Sequence, residues 1–215
     1  MLDRRALHNS GLIDKACESV EFYTPERILK RVRHYFGGDI DLDPATPAHN
    51  PTKARRWFTH EDNGLSRNWS EPVTFPRVFV NPPYGKAIKA WVEKIGVEGG
   101  YGRTRLVALL PGQRFEQTYW QQSLFIPSLT ALIAVRSRVS FIRPDGKAAV
   151  GNPYGSFLYV YNGQWDAIVD AFAPIGMVIE MGRIAHKPNA QKSLLFDGGD
   201  QVTGAQPTLF GEAGK

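Results

Sequence analysis

Residues 78–86 read VFVNPPYGK, and the way this stretch stops decides the fold. Val78-Phe79-Val80 is a continuous apolar run, the kind that a strand buried on both faces requires. Leaving a strand needs one breaker, yet an asparagine, two prolines and a tyrosine follow in succession. Two consecutive prolines remove two backbone donors and fix φ, so the chain turns a stiff corner that offers carbonyl oxygens rather than N–H groups. Asn81 adds a side-chain carbonyl, and Tyr84 a flat ring two residues beyond Pro82. Acceptors converging beside an aromatic plate suit an exocyclic amino group on a planar heterocycle.

Working outward, Thr24-Pro25-Glu26 followed by Ile28, Leu29, Val32 and Tyr35/Phe36 predicts a helix with Thr24 as N-cap and Pro25 at its first position. Gly37-Gly38 stops it. Ile40 and Leu42 alternate with Asp39, Asp41 and Asp43 in a short strand that runs into Pro44, and Lys86 to Ile95 predicts a helix ended by Gly96. Further strands are expected at 106–110, 131–135, 157–161 and 177–181. Strands separated by helical segments imply crossover units, hence an α/β protein built on a mostly parallel, doubly wound sheet. Ligands of such sheets lie at the carboxyl ends of the strands, where residues 81–84 fall. The folded unit is expected over 21–185 as a single domain. A flexible segment, 1–20, precedes it and a flexible tail, 186–215, rich in Gly, Gln and Pro, follows.

The 215 residues, 42% hydrophobic and 22% charged, suffice for one domain with a real core. An apolar run of membrane-spanning length and a secretory h-region are both missing, so a cytoplasmic, membrane-free protein is expected. Cys17 is the single cysteine, which excludes a disulfide framework and a cysteine-rich metal site. His34, His49, His60 and His186 lack metal-ligand spacing, so no metal is expected. Lys and Arg exceed the acidic residues by 26 to 21, a net charge of +5 that favours a polyanionic partner without identifying one. Residues 136–147, RSRVSFIRPDGK, interleave cations with an aromatic. Arg136, Arg138, Arg143 and Lys147, with Arg114, are the candidate phosphate contacts, although solvated surface holds such residues too. Asn152-Pro153-Tyr154-Gly155 echoes the corner with one proline and reads as a turn.

Asn81-Pro82-Pro83-Tyr84 resembles the catalytic motif of amino-methyltransferases that use S-adenosylmethionine, above all the DNA adenine-N6 methyltransferases. Phe22-Tyr23-Thr24-Pro25 resembles a segment of their cofactor pocket, and Asp41-Leu42-Asp43-Pro44-Ala45 is similar to their first cofactor motif. Residues 41–69, the NPPYG corner, Leu109-Leu110-Pro111 and RSRVSF at 136–141 together resemble the small phage-type members, over about residues 21–162. The resemblance implies a Rossmann-like, class I methyltransferase fold encoded by a phage or prophage and acting on double-stranded DNA in a bacterial cytoplasm. It implies that Asn81 and the Pro82 carbonyl, in the corner completed by Pro83, take the target amino group while Tyr84 stacks on a flipped base. Tyr23, Thr24, Pro25, Asp43, Pro44 and Asp62 or Asn63 would bind S-adenosylmethionine. The chain departs from larger relatives after Ala45, where Thr46-Pro47-Ala48-His49-Asn50 lacks the usual glycines. An RNA base, a protein glutamine, or a catalytically idle DNA-binding relative are the alternatives. In the tail, Gln206-Pro207-Thr208-Leu209-Phe210 resembles the peptide by which bacterial DNA-processing proteins dock on the sliding clamp, with Gln206, Leu209 and Phe210 as anchors. A tail without a partner is the other reading.

Overall fold

A computed structural model describes residues 22–100, 102–149 and 154–182. The chain runs through α1 (Glu26–Phe36), β1 (Leu42–Asp43), β2 (Arg56–Trp57), a single 3-10 turn (Gly64–Ser66) and β3 (Arg77–Val80). It continues through α2 (Ile88–Gly100), β4 (Arg105–Pro111), α3 (Thr118–Leu124), β5 (Leu129–Val135), β6 (Ser156–Tyr161), α4 (Trp165–Phe172) and β7 (Gly176–Glu180). The strands form one sheet in the order β2-β1-β3-β4-β6-β5-β7.

Alternation within the strands explains why helices cover both faces. Val78, Val80, Leu106, Ala108 and Leu110 face a core with Trp91, Val92 and Ile95 of α2 and Trp120 of α3. Phe79, Val107 and Leu109 face the opposite core, with Ile28, Leu29 and Val32 of α1 and Ile168 and Phe172 of α4. Both faces are dry, which is why the strands read as unbroken apolar runs. The expected mostly parallel sheet is parallel across β2, β1, β3 and β4 and antiparallel beyond them. β4 and β5 point the same way with α3 between them in the chain, and β6 returns antiparallel into the space they leave. Apolar runs buried on both sides look alike whichever way the neighbour runs.

The capping prediction shifts by one residue. Pro25 occupies the cap of α1, its carbonyl accepting from Ile28 and Leu29 N–H at 2.9 and 3.3 Å, and no side chain caps the helix. The other end matches the expectation: Gly37 adopts φ 67°, and the Gly37 and Gly38 N–H groups return to the His34 and Arg33 carbonyls. α2, expected to stop at Gly96, continues to Gly100. Gly96 is where α2 meets α3: a Cβ there would lie 2.1 Å from the Ser123 carbonyl oxygen.

The three aspartates before Pro44 have separate fates. Asp39 is exposed and pairs with Arg55 at 3.0 Å. Asp41 takes a bidentate grip from Arg77 at 2.7 and 2.8 Å and also accepts the Arg77 N–H, locking the start of β3 beside β1. That guanidinium holds the Asp41 carboxyl below the usual carboxylate range. Asp43 closes β1 and is buried. β1, β2, β3, β4 and β5 all point one way, so the segments after them gather at one end of the sheet. β6 begins at that end, and α1 is entered from it through residues 22–25.

Candidate active site

The corner after β3 stands at the carboxyl end of the sheet. Pro82 is buried, Pro83 is exposed and Asn81 is half-buried. The Asn81 amide N–H donates to the Phe22 carbonyl at 3.4 Å, which orients the side chain and turns Oδ1, the acceptor, away from that contact. The Tyr84 hydroxyl donates to the Leu109 carbonyl of β4 at 3.2 Å, so the ring spans the rim of the sheet and packs against both cores. Burial pushes the Tyr84 phenol well above its ordinary pKa, and it stays neutral.

Residues 22–25 close over this corner. Tyr23 exchanges backbone hydrogen bonds with Ile142 at 2.7 and 2.9 Å, and its ring meets the edge of His49 with centroids 4.8 Å apart. Thr24 and Pro25 are buried beneath it. Four segments remote in sequence thus interlock: 22–25, the loop after β1, the corner at 81–84 and residues 141–142.

Asp43 organises the loop after β1 from inside. At 2% exposure, its Oδ1 accepts the Ala45 N–H at 3.0 Å and its Oδ2 the Thr52 hydroxyl at 2.8 Å. Burial nevertheless pushes its carboxyl up to about 6, opposed by the bonds from Ala45, Thr52 and Thr46. Pro44 is held from the other side, since a Cβ on Gly64 would lie 2.0 Å from the Pro44 carbonyl oxygen. Asp62 turns Oδ2 into its own turn, accepting the Thr59 N–H and hydroxyl at 2.9 Å each. Asn63 is exposed, with φ 52°.

The candidate phosphate contacts lie at the same end. Arg114, in the loop after β4, has a buried Nε without a hydrogen-bond partner among the described residues. Arg136 and Arg138 are exposed just beyond β5, and the Arg138 carbonyl accepts from Arg27 at 3.4 Å. Arg143 and Lys147 flank a hairpin tip: Ile142 pairs with Ala148, the Arg143 N–H donates to the Lys147 carbonyl, and the Gly146 N–H returns to the Arg143 carbonyl, each bond 2.9 Å. Arg55 pairs with Asp39, and Arg56 donates to the Trp69 carbonyl at 3.3 Å. His34 meets Asp170 of α4 at 2.6 Å. Gln206, Leu209, Phe210, Cys17 and His186 lie outside the described residues.

Sequence reading placed two residues of this region in motifs without assigning their roles. Phe22 supplies the carbonyl that holds Asn81, and Phe141 packs edge-on to Tyr84. The hairpin itself was legible in Pro144-Asp145-Gly146, a turn signal between flanks that pair. Among the described residues no cluster of His, Cys, Asp and Glu could hold a metal ion, and no helix is long and apolar enough to cross a membrane.

The family described as DNA N-6-adenine-methyltransferase (Dam) matches residues 15–191. No curated protein matches the chain.

Proposed function

Because the chain belongs to the DNA N-6-adenine-methyltransferase family and so methylates adenine N6 in DNA, we propose that the corner at 81–84 is where the target base is held. The observation that carries this reading is the orientation of Asn81: its amide N–H donates to the Phe22 carbonyl, leaving Oδ1 as the acceptor of that side chain. An adenine amino nitrogen is a poor nucleophile because its lone pair is delocalised into the ring. Asn81 Oδ1 and the Pro82 carbonyl, accepting hydrogen bonds from its two N–H groups, favour a pyramidal nitrogen with an available lone pair, and Pro82-Pro83 stiffens the backbone of the corner. The base leaves the duplex stack to reach the corner, a cost of a few kcal/mol offset in part by stacking on Tyr84.

The family implies S-adenosylmethionine as donor, and the residues at this end of the sheet fit such a group. Phe22 and Trp57 are exposed aromatics at the ends of the segments that would flank it, and Asp62 keeps Oδ1 outside its bonds to Thr59. When bound, that group supplies an electrophilic methyl on a sulfonium. Tyr23, Thr24 and Pro25 form one wall and Pro44 another. Asp43, whose oxygens serve Ala45 and Thr52, acts by shaping the loop that carries Pro44, and Asp62 or Asn63 faces the adenosine end.

Double-stranded DNA is the substrate that the basic surface favours, with Arg114, Arg136, Arg138, Arg143 and Lys147 on phosphates. Helices on both faces of the sheet support a Rossmann-like, doubly wound reading of the class I type, with 21–185 as its proposed domain. The resemblance to phage-type enzymes supports a phage or prophage gene product working in a bacterial cytoplasm. The tail peptide at 206–210 would tether the enzyme to the sliding clamp and raise its effective concentration on newly copied DNA.

The test is transfer of labelled methyl from S-adenosylmethionine to unmethylated duplex DNA, with nucleosides separated by mass spectrometry. N6-methyladenine is the expected product. In Asn81→Ala, turnover is expected to fall by roughly 100-fold or more with cofactor binding retained. Unchanged turnover would remove the proposed amino-group clamp.

A further inference from the structure

Phe141 stands between the two halves of the corner. It is 5% exposed, its ring meets Tyr84 edge-on with centroids 6.0 Å apart, and its centroid lies 6.2 Å from that of Phe22, the residue whose carbonyl accepts from Asn81. Its carbonyl accepts the Ala149 N–H at 2.7 Å, so it also forms the base of the hairpin at 142–148. The next residue, Ile142, pairs with Tyr23 on one side and with Ala148 on the other. A single aromatic therefore joins the hairpin to both elements that would hold the base.

The hairpin tip breaks a local rule. Arg143 and Lys147 stand directly opposite across the ribbon, both exposed, and neither makes an ion pair among the described residues. Like charges in facing positions destabilise a two-stranded ribbon. Asp145, between them, commits Oδ1 to the Lys147 backbone N–H. Pro144 and a Gly146 at φ 78° fix the turn, so the two backbone positions stay opposite one another. A polyanion is the ligand that offsets this arrangement.

We propose that Phe141 is a positioning residue for Tyr84 and Asn81, and that the hairpin it anchors delivers DNA to the corner through Arg143 and Lys147. This rests on the methyltransferase reading above. An edge-on ring fixes the rotation of Tyr84 about its hydroxyl tether in a way an aliphatic side chain of similar volume does not. The hairpin's grip and the corner's geometry thus share one hinge, Phe141-Ile142.

Three variants test it. Phe141→Leu is expected to lower kcat by roughly tenfold or more while DNA affinity, measured by fluorescence anisotropy, changes little, and Phe141→Tyr is expected to restore kcat. In the double variant Arg143→Gln/Lys147→Gln, the slope of log affinity against log salt is expected to shrink by about two. The fluorine resonance of Tyr84 in fluorotyrosine-labelled protein, assigned by its loss in Tyr84→Phe, is expected to shift or broaden in Phe141→Leu. An unchanged resonance with unchanged kcat overturns the positioning role, as does loss of kcat, DNA affinity and thermal stability together without rescue by Phe141→Tyr. An unchanged salt slope overturns the hairpin's contact with phosphates. Failure of the parent enzyme to methylate DNA sinks the functional reading instead, because the resonance still reports on Phe141.

Discussion

At the scale of single residues, Asp43 shows how burial and hydrogen bonding compete. Its pKa of about 6 lies above the ordinary 3.8, so the folded protein holds that proton more tightly than the unfolded chain. The associated stability is fully present below about pH 4 and is lost as pH rises towards 6; a gap of that size corresponds to about 3 kcal/mol. Asp41 works in the opposite sense, its lowered pKa adding stability that is lost as pH falls. In Asp43→Asn, the difference in urea midpoint from the parent is expected to grow in the variant's favour between pH 4.5 and 7. A constant difference across that range would mean that Asp43 does not titrate there. The sequence carried the position of Asp43 and its place before Pro44, but nothing in it announced that both carboxylate oxygens would be spent on its own loop.

At the scale of elements, α2 is the instructive case. Glycine in a helix interior normally costs about 1 kcal/mol relative to alanine, so Gly96 read as a stop. Its role is the approach of α3, and Gly96→Ala is expected to destabilise the protein by roughly 1–3 kcal/mol in urea unfolding, the backbone clash outweighing the better propensity. Gly100→Ala, four residues on, meets only the end of the Ile126 side chain at 3.1 Å and is expected to be close to neutral. Equal losses at the two sites would place the cause in the helix rather than in its contact with α3. The apolar elements were readable because their burial is written in spacing: each of Ile28, Leu29, Val32, Tyr35 and Phe36 is buried as the helical period requires. β2, two residues long, has too short a span for any period to show.

At the scale of the whole molecule, the basic residues predict that DNA affinity falls linearly on a log scale with salt, and that Arg136→Gln reduces the slope by about one. A slope unmoved by that change would place Arg136 away from the phosphates. Deleting residues 206–210 is expected to abolish capture by the sliding clamp while activity on short oligonucleotides persists; capture by the truncated chain would locate the contact elsewhere. The sequence by itself determined the α/β class, the two-sided burial of the central strands and the stiff acceptor corner at 81–84, because period, proline and side-chain chemistry are local properties. Only the tertiary structure decided that β6 enters antiparallel between β4 and β5, that Phe22 orients Asn81, and that Phe141 seats against Tyr84. Those are contacts between segments up to 59 residues apart. Their partners are selected by packing at the carboxyl end of the sheet, where no local pattern reaches.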